Sequence, residues 1–149
     1  MSVRDITKAD RETVLAMVGS FYDSPAVDHE IPVSNFADVY DEMCDGGSAR
    51  LRGLLIESDG KPAGFCSLSF SYSTEAGGAV VLIEEAFILP EFRGQGLGEG
   101  LFDYIKEQYR GKAARLRLEV APSNTRAIAL YERLGFAVLP YTQMINEAF

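Results

Sequence analysis

The sequence predicts a mixed α/β fold, a central sheet of six to seven strands with helices on both faces. Three observations lead there. Strand-period and helix-period stretches follow one another in the order β-α-α-β-β-β-α-β-α-β-β, which implies one mixed sheet covered on two sides. Val80 to Leu89 is a near-continuous apolar run, the pattern of a strand buried on both faces. That run enters a turn containing Gly94, Gly96 and Gly98, and an amphipathic stretch, Leu97 to Tyr109, leaves it. At 149 residues the chain reads as a single domain, 1–149, large enough for one sizeable core.

Val3 to Ile6 reads as the first strand. Thr7, with Asp10 three residues on, is a capping-box-like helix start, and Val14, Met17, Val18 and Phe21 form the apolar stripe of that helix. Ser24-Pro25 ends it. Tyr22 to Pro32 is read as a polar loop holding Asp23, Asp28, Glu30 and the sole histidine, His29, whose first reading is solvated surface. Ser34 caps a second helix with the stripe Phe36, Val39, Tyr40 and Met43, stopped by Asp45-Gly46-Gly47.

Arg50 to Glu57 is a mostly apolar strand, and Asp59-Gly60 is a hairpin signal. The next strand alternates, with Cys66, Leu68, Phe70 and Tyr72 on one face and Ser67, Ser69, Ser71 and Ser73 on the other. Gly77-Gly78 turns the chain into Val80–Leu89, which is interrupted only by Glu84-Glu85. Adjacent strand residues point to opposite faces, so these two carboxylates are expected to serve different roles. After the glycine turn, Leu97, Leu101, Tyr104, Ile105 and Tyr109 make a helical stripe ended by Gly111. Ala114 to Val120 alternates as a strand. Asn124 caps a last helix with the stripe Ala127, Leu130, Tyr131 and Leu134, and Gly135 closes it. Phe136–Leu139 and the tail Tyr141–Phe149 are expected as final strands.

Composition excludes several classes of function. Hydrophobic content of 47% with 24% charged residues is that of a folded chain. No apolar run reaches the ~18 residues of a membrane span, and Met1–Asp5 lacks a signal-peptide core, so no membrane association and a cytoplasmic protein are expected. Cys44 and Cys66 have neither metal nor redox spacing, so reduced thiols and no metal are expected. A net charge of −8 argues against nucleic acid as a partner and is permissive for a cationic substrate such as a small amine.

The glycine turn carries the chemistry. Helix-opening N–H groups lack intrahelical partners and, with the helix dipole, bind phosphate or pyrophosphate. The dinucleotide pattern G-x-G-x-x-G fails in every register, ending on Glu99, Leu101 or Asp103, and no Gly-Lys-Ser/Thr follows. What stands there is R-x-x-G-x-G at Arg93, Gly96 and Gly98. Further on, Asn124 to Phe136 spells N-x-x-A-x-x-x-Y-x-x-x-G-F.

The first motif resembles the pyrophosphate loop of the GNAT superfamily of acyl-CoA-dependent N-acetyltransferases, and the second resembles that superfamily's second signature. The likeness covers Gly60 to Phe136 well and the first 59 residues only by element order. It implies acetyl-CoA as co-substrate and a sheet whose fourth and fifth strands, here Val80–Leu89 and Ala113–Ala121, splay to admit the pantetheine arm. It implies that the backbone of Ala86, Phe87 and Ile88 pairs with pantetheine. Arg93, Gly94, Gln95, Gly96, Leu97, Gly98 and Glu99 would form the pyrophosphate loop, and Asn124 and Ala127 complete the cofactor-contacting set.

The implied reaction is direct attack of a primary amine on the thioester in a ternary complex. An amine of pKa ~10.4 is less than about one part in 10³ free base at neutral pH, so a base is needed. By resemblance to diamine-type members, that base is Glu84. Tyr131 corresponds to the family's general acid, which protonates the departing thiolate. A backbone N–H near Ala86–Phe87 would polarise the thioester carbonyl. The leading expectation is therefore an acetyl-CoA-dependent N-acetyltransferase acting on a small amine. The alternatives are a non-catalytic acyl-CoA-binding or regulatory module and a protein N-terminal acetyltransferase. An amino acid and an aminoglycoside also remain open as acceptors, and the tail Thr142–Phe149 permits a homodimer.

Overall fold

Strand-period sequence from Leu51 to Ile88 builds the antiparallel centre of the sheet. In the computed structural model, which describes residues 1–27 and 29–148, β2 (Leu51–Ser58), β3 (Lys61–Ser73) and β4 (Gly78–Ile88) follow one another as neighbours. Asp59 and Gly60 both adopt positive φ at the β2–β3 turn, as the Asp-Gly pair demands. The short β1 (Ser2–Asp5) adds antiparallel to β2, and β5 (Arg115–Leu118) adds parallel to β4. The result is a mixed five-stranded sheet in the order β1-β2-β3-β4-β5.

Alternation along the strands divides the core in two. Leu55, Phe65 and Phe87 face α1 (Arg11–Tyr22) and α2 (Val33–Met43), where they meet Val14, Met17, Val18, Phe36, Tyr40 and Met43. Leu54, Ile56, Cys66, Leu68, Val81 and Ile83 face the other way, onto Leu97, Leu101, Phe102 and Ile105 of α3 (Leu97–Tyr109). The last helix, α4 (Thr125–Arg133), rests on this second side through Tyr131. Each fully buried Leu or Ile contributes about 1.5–3 kcal/mol, so helices on both faces are held by side chains already sorted by strand period.

One irregularity interrupts the sheet. Ser67 of β3 stands opposite Glu85 of β4, but the next residue, Leu68, stands opposite Ile83. Glu84 is the extra residue of a β-bulge. Val81 and Ile83 before the bulge and Ala86 and Ile88 after it all face α3, so the inward phase moves from odd to even numbers. Glu84 and Glu85 therefore share the opposite face, and the expectation that they point apart is corrected.

Other sequence expectations are corrected as well. Among the described residues there are five strands, not six or seven: Phe136–Leu139 and Tyr141–Ala148 are irregular. Pro140 has no N–H to give a ladder, and Val138, Tyr141, Met144 and Ile145 stand in solvent rather than on a sheet face. The Ala114–Val120 strand ends at Leu118. Tyr22 closes α1 rather than opening the loop. Pro32, not Ser34, takes the cap position of α2, with Ser34 inside the first turn. The calls on Asp28 and on Phe149 fall outside the described residues. Cys44 and Cys66 are free and buried.

The Thr7–Asp10 signal is realised at a 3-10 turn, Lys8–Asp10, that runs into α1. Asp10 Oδ2 accepts from the Thr7 N–H at 2.8 Å and from its hydroxyl at 2.7 Å, and Arg4 grips both carboxylate oxygens. The Arg4 guanidinium holds the Asp10 carboxyl well below the usual carboxylate range. A depressed carboxyl stabilises the fold above its unfolded pKa of ~3.9, and this is lost as pH falls through the folded value. Asp10→Asn should therefore lower stability by about 1–2 kcal/mol at pH 7, with the difference shrinking below pH ~4. Urea unfolding at pH 7 and pH 3 checks this, and equal stability of both proteins at pH 7 would refute it.

Candidate active site at the opening between β4 and β5

The parallel pairing of β4 with β5 covers only Val80–Ile83 against Arg115–Leu118. It stops where the bulge begins, because a bulge bends and further twists its strand. Beyond Ile83, β4 runs on to Ile88 beside no strand on that side. Leu89 N–H donates to Ala63 C=O at 2.9 Å, on the β3 side. By strand alternation the backbone of Phe87 also turns toward β3, while the N–H groups of Ala86 and Ile88 turn to the open edge. Arg93 Nε donates to the Ile88 carbonyl at 2.9 Å, and the Arg93 guanidinium lies over the Phe87 ring at 5.5 Å. Arg93 thus ties the glycine loop to the end of β4.

Gly94 and Gly96 sit at φ +76 and +77, where a side chain would be strained, although a Cβ at either would meet nothing within 4 Å. Conformation rather than packing therefore calls for glycine at these two positions. The first bond across the turn is Gly100 N–H to Gly96 C=O at 3.0 Å. The amides of Leu97, Gly98 and Glu99 therefore have no intrahelical acceptor. The Gln95 side chain bonds back to Glu91 C=O at 3.3 Å, and Glu99 pairs with Arg133 of α4 at 3.5 Å. Open amides on a helix N-terminus, beside an open strand edge, fit a pyrophosphate followed by an amide-bearing arm.

α4 enters on the same side. Asn124 Oδ1 accepts from Ala127 N–H at 3.2 Å, so this side chain serves as the helix cap and keeps its amide NH2 free. Tyr131, one α4 turn beyond Ala127, packs on Phe102 at 5.4 Å and on Phe136 at 6.1 Å. Its hydroxyl makes no hydrogen bond among the described residues. Burial, and secondarily the Cys66 thiol, raise its pKa above the ordinary phenol value. At neutral pH it therefore holds a proton available for donation.

Glu84 and Glu85 occupy the α1/α2 face of the same opening. Ser69 Oγ donates to Glu84 Oε1 at 2.6 Å, and Glu84 is exposed. Glu85 is less exposed: Ser67 Oγ donates to its Oε2, and Tyr22 Oη donates to its Oε1 at 3.2 Å. Burial pushes the Glu85 carboxyl up, the Ser67 and Tyr22 donors pull it down, and the Glu84 charge pushes it up again. None of the ion pairs among the described residues involves either carboxylate. His29, in the α1–α2 loop, is exposed.

The sequence reading had not placed Tyr22, Ser67 and Ser69 at this site. The serine alternation was legible, but its purpose depends on the bulge. The one available signal was the phase slip from Val81 and Ile83 to Ala86 and Ile88.

Comparison with known proteins gives the family and the fold. The model of the acetyltransferase (GNAT) family matches residues 17–136. A putative [ribosomal protein bS18]-alanine N-acetyltransferase of Bacillus subtilis (strain 168) is 36% identical over 118 residues, 73% of each chain. A thialysine N-epsilon-acetyltransferase of Bos taurus is 37% identical over 87 residues, 54% of this chain and 51% of that protein's length. The aminoglycoside-type structure AAC(6')-Iy, solved with a bisubstrate analogue of CoA and acetylneamine, superposes with a TM-score of 0.78 at 19% identity, covering 99% of this chain and 98% of that one. The chain belongs to the acetyltransferase (GNAT) family, the acetyl-CoA-dependent N-acetyltransferases.

Proposed function

We propose that this protein transfers the acetyl group of acetyl-CoA to the primary amine of a small, cationic acceptor. The observation that carries the reading is the parting of β4 from β5 at Ile83, with the Gly94–Glu99 loop at one end and the Glu84–Glu85 pair at the other. Ala86 and Ile88 take the pantetheine arm along the open edge of β4, and the amides of Gly94 to Glu99 take the pyrophosphate. An Ala86 N–H turned to that edge also suits the thioester oxygen as charge develops on it.

The amine arrives on the α1/α2 face, where the two carboxylates lie. Glu84 removes one proton from the ammonium. The free amine attacks the thioester carbonyl carbon, the N–C bond forms and the C–S bond breaks. The nitrogen gives up its second proton to solvent, Tyr131 supplies a proton to the thiolate from the α3/α4 face, and solvent returns a proton to the Tyr131 phenolate. The two groups thus work from opposite faces of the sheet, with the thioester between them. The acidic pair and the flanking Asp23 and Glu30 of the α1–α2 loop favour an acceptor carrying further positive charge.

A second reading, acetylation of a protein N-terminus, is favoured by the Bacillus subtilis relative. An assay of thiol release against small diamines, amino acids, aminoglycosides and N-terminal peptides separates the two. Release with diamines or aminoglycosides is expected, and release with peptides alone would replace the first reading by the second.

Tyr131→Phe should lower kcat about 10²-fold, the low end for acid catalysis because a thiolate leaves readily. Its affinity for acetyl-CoA, measured by calorimetry, should be unchanged, and an undiminished kcat would remove Tyr131 from the mechanism. Glu84→Gln should lower the rate about 10²-fold at pH 7 and recover as pH approaches the amine's own pKa. A pH–rate profile identical to that of the native protein would exclude Glu84 as base.

A further inference from the structure

Glu85 stands beside the proposed base, yet the proton transfers of the proposed reaction leave it without a part. Both of its oxygens are engaged by neutral hydroxyls, Tyr22 from the end of α1 and Ser67 from β3. The bulge brings it onto the same face as Glu84. The groups facing it are Tyr22 from α1, Ser67 from β3 and Glu84 on its own strand, with the buried Cys66 thiol of β3 nearby. No lysine or arginine among the described residues pairs with it.

We propose that Tyr22 is a positioning residue: its hydroxyl, with that of Ser67, fixes the Glu85 carboxylate beside Glu84, so that the two act as one coupled base. The proposal rests on the acetyl-transfer reading. Two carboxylates on one face repel when both are charged, and the repulsion raises the affinity of the pair for its first proton. A lone exposed carboxylate titrates at ~4.3 and is a poor match for an ammonium at neutral pH, whereas a dianionic pair takes up a proton closer to the working pH. The proton leaving the ammonium goes to this pair and from there to solvent. The Tyr22 donor keeps the dianion accessible despite burial, and it is a durable donor because burial and the Glu85 charge hold its own proton tightly.

The pair makes a prediction that a packing role does not. Removing the hydroxyl in Tyr22→Phe destabilises the dianion, so the acidic limb of the kcat–pH profile moves up by about half to one unit, with acetyl-CoA affinity unchanged. Removing the second charge in Glu85→Gln leaves Glu84 alone, so the limb moves down. Opposite shifts are the expected result. Superposable profiles for Tyr22→Phe and a native protein that turns over overturn this proposal alone. Absence of thiol release from the native protein with every amine overturns the acetyl-transfer reading and this proposal with it. Should Tyr22→Phe fail to fold, carboxyl-carbon NMR of glutamate-labelled protein carries the test. The Glu85 midpoint should fall in Glu84→Gln, and an unmoved midpoint overturns the coupling.

Discussion

An extra residue in β4 sets the geometry on which the rest of the site depends. Without Glu84 as a bulge, β3 and β4 would keep register, Glu84 and Glu85 would fall on opposite faces, and β4 would have no local reason to bend away from β5. With it, the parallel pairing ends at Ile83 and the rest of β4 is left with an unpaired edge. Such an edge is a ready template for pairing with another chain or a ligand. Here the open stretch leads directly into a loop whose amides are also unpaired. The proposed co-substrate, with amide groups at one end and phosphates at the other, would meet both needs.

The bulge also distributes chemistry between the faces. The α3/α4 face is apolar and aromatic, with Tyr131 among Phe102 and Phe136, and burial there keeps the phenol protonated. The α1/α2 face carries the carboxylates and the hydroxyls that hold them. The proposed acid and base thus lie on opposite faces of the sheet.

Much of this was legible in the sequence. The apolar run of β4, the glycine turn and the Tyr131 stripe fixed the order of elements, and the alternation in β3 sorted its two faces correctly. What was misread shares one cause, contacts remote in sequence. The rule of opposite faces for Glu84 and Glu85 is sound for a regular strand and fails at a bulge, which exists only as a relation between β3 and β4. Tyr22 looked like a loop residue because Pro25 follows closely, although the helix extends to it and brings its hydroxyl to Glu85. The final strands were expected with no pairing edge identified for them. A strand also needs a partner edge, and the segment after α4 has none among the described residues.

Ala86 and Ile88 turn unpaired amides to the open edge of β4, whereas Phe87 between them turns to β3. Residue-resolved hydrogen exchange with and without acetyl-CoA measures this directly. The Ala86 and Ile88 amides should slow about tenfold or more on binding, with Phe87 protected in both states. Binding of acetyl-CoA that leaves Ala86 and Ile88 exchanging at their free rates would contradict it.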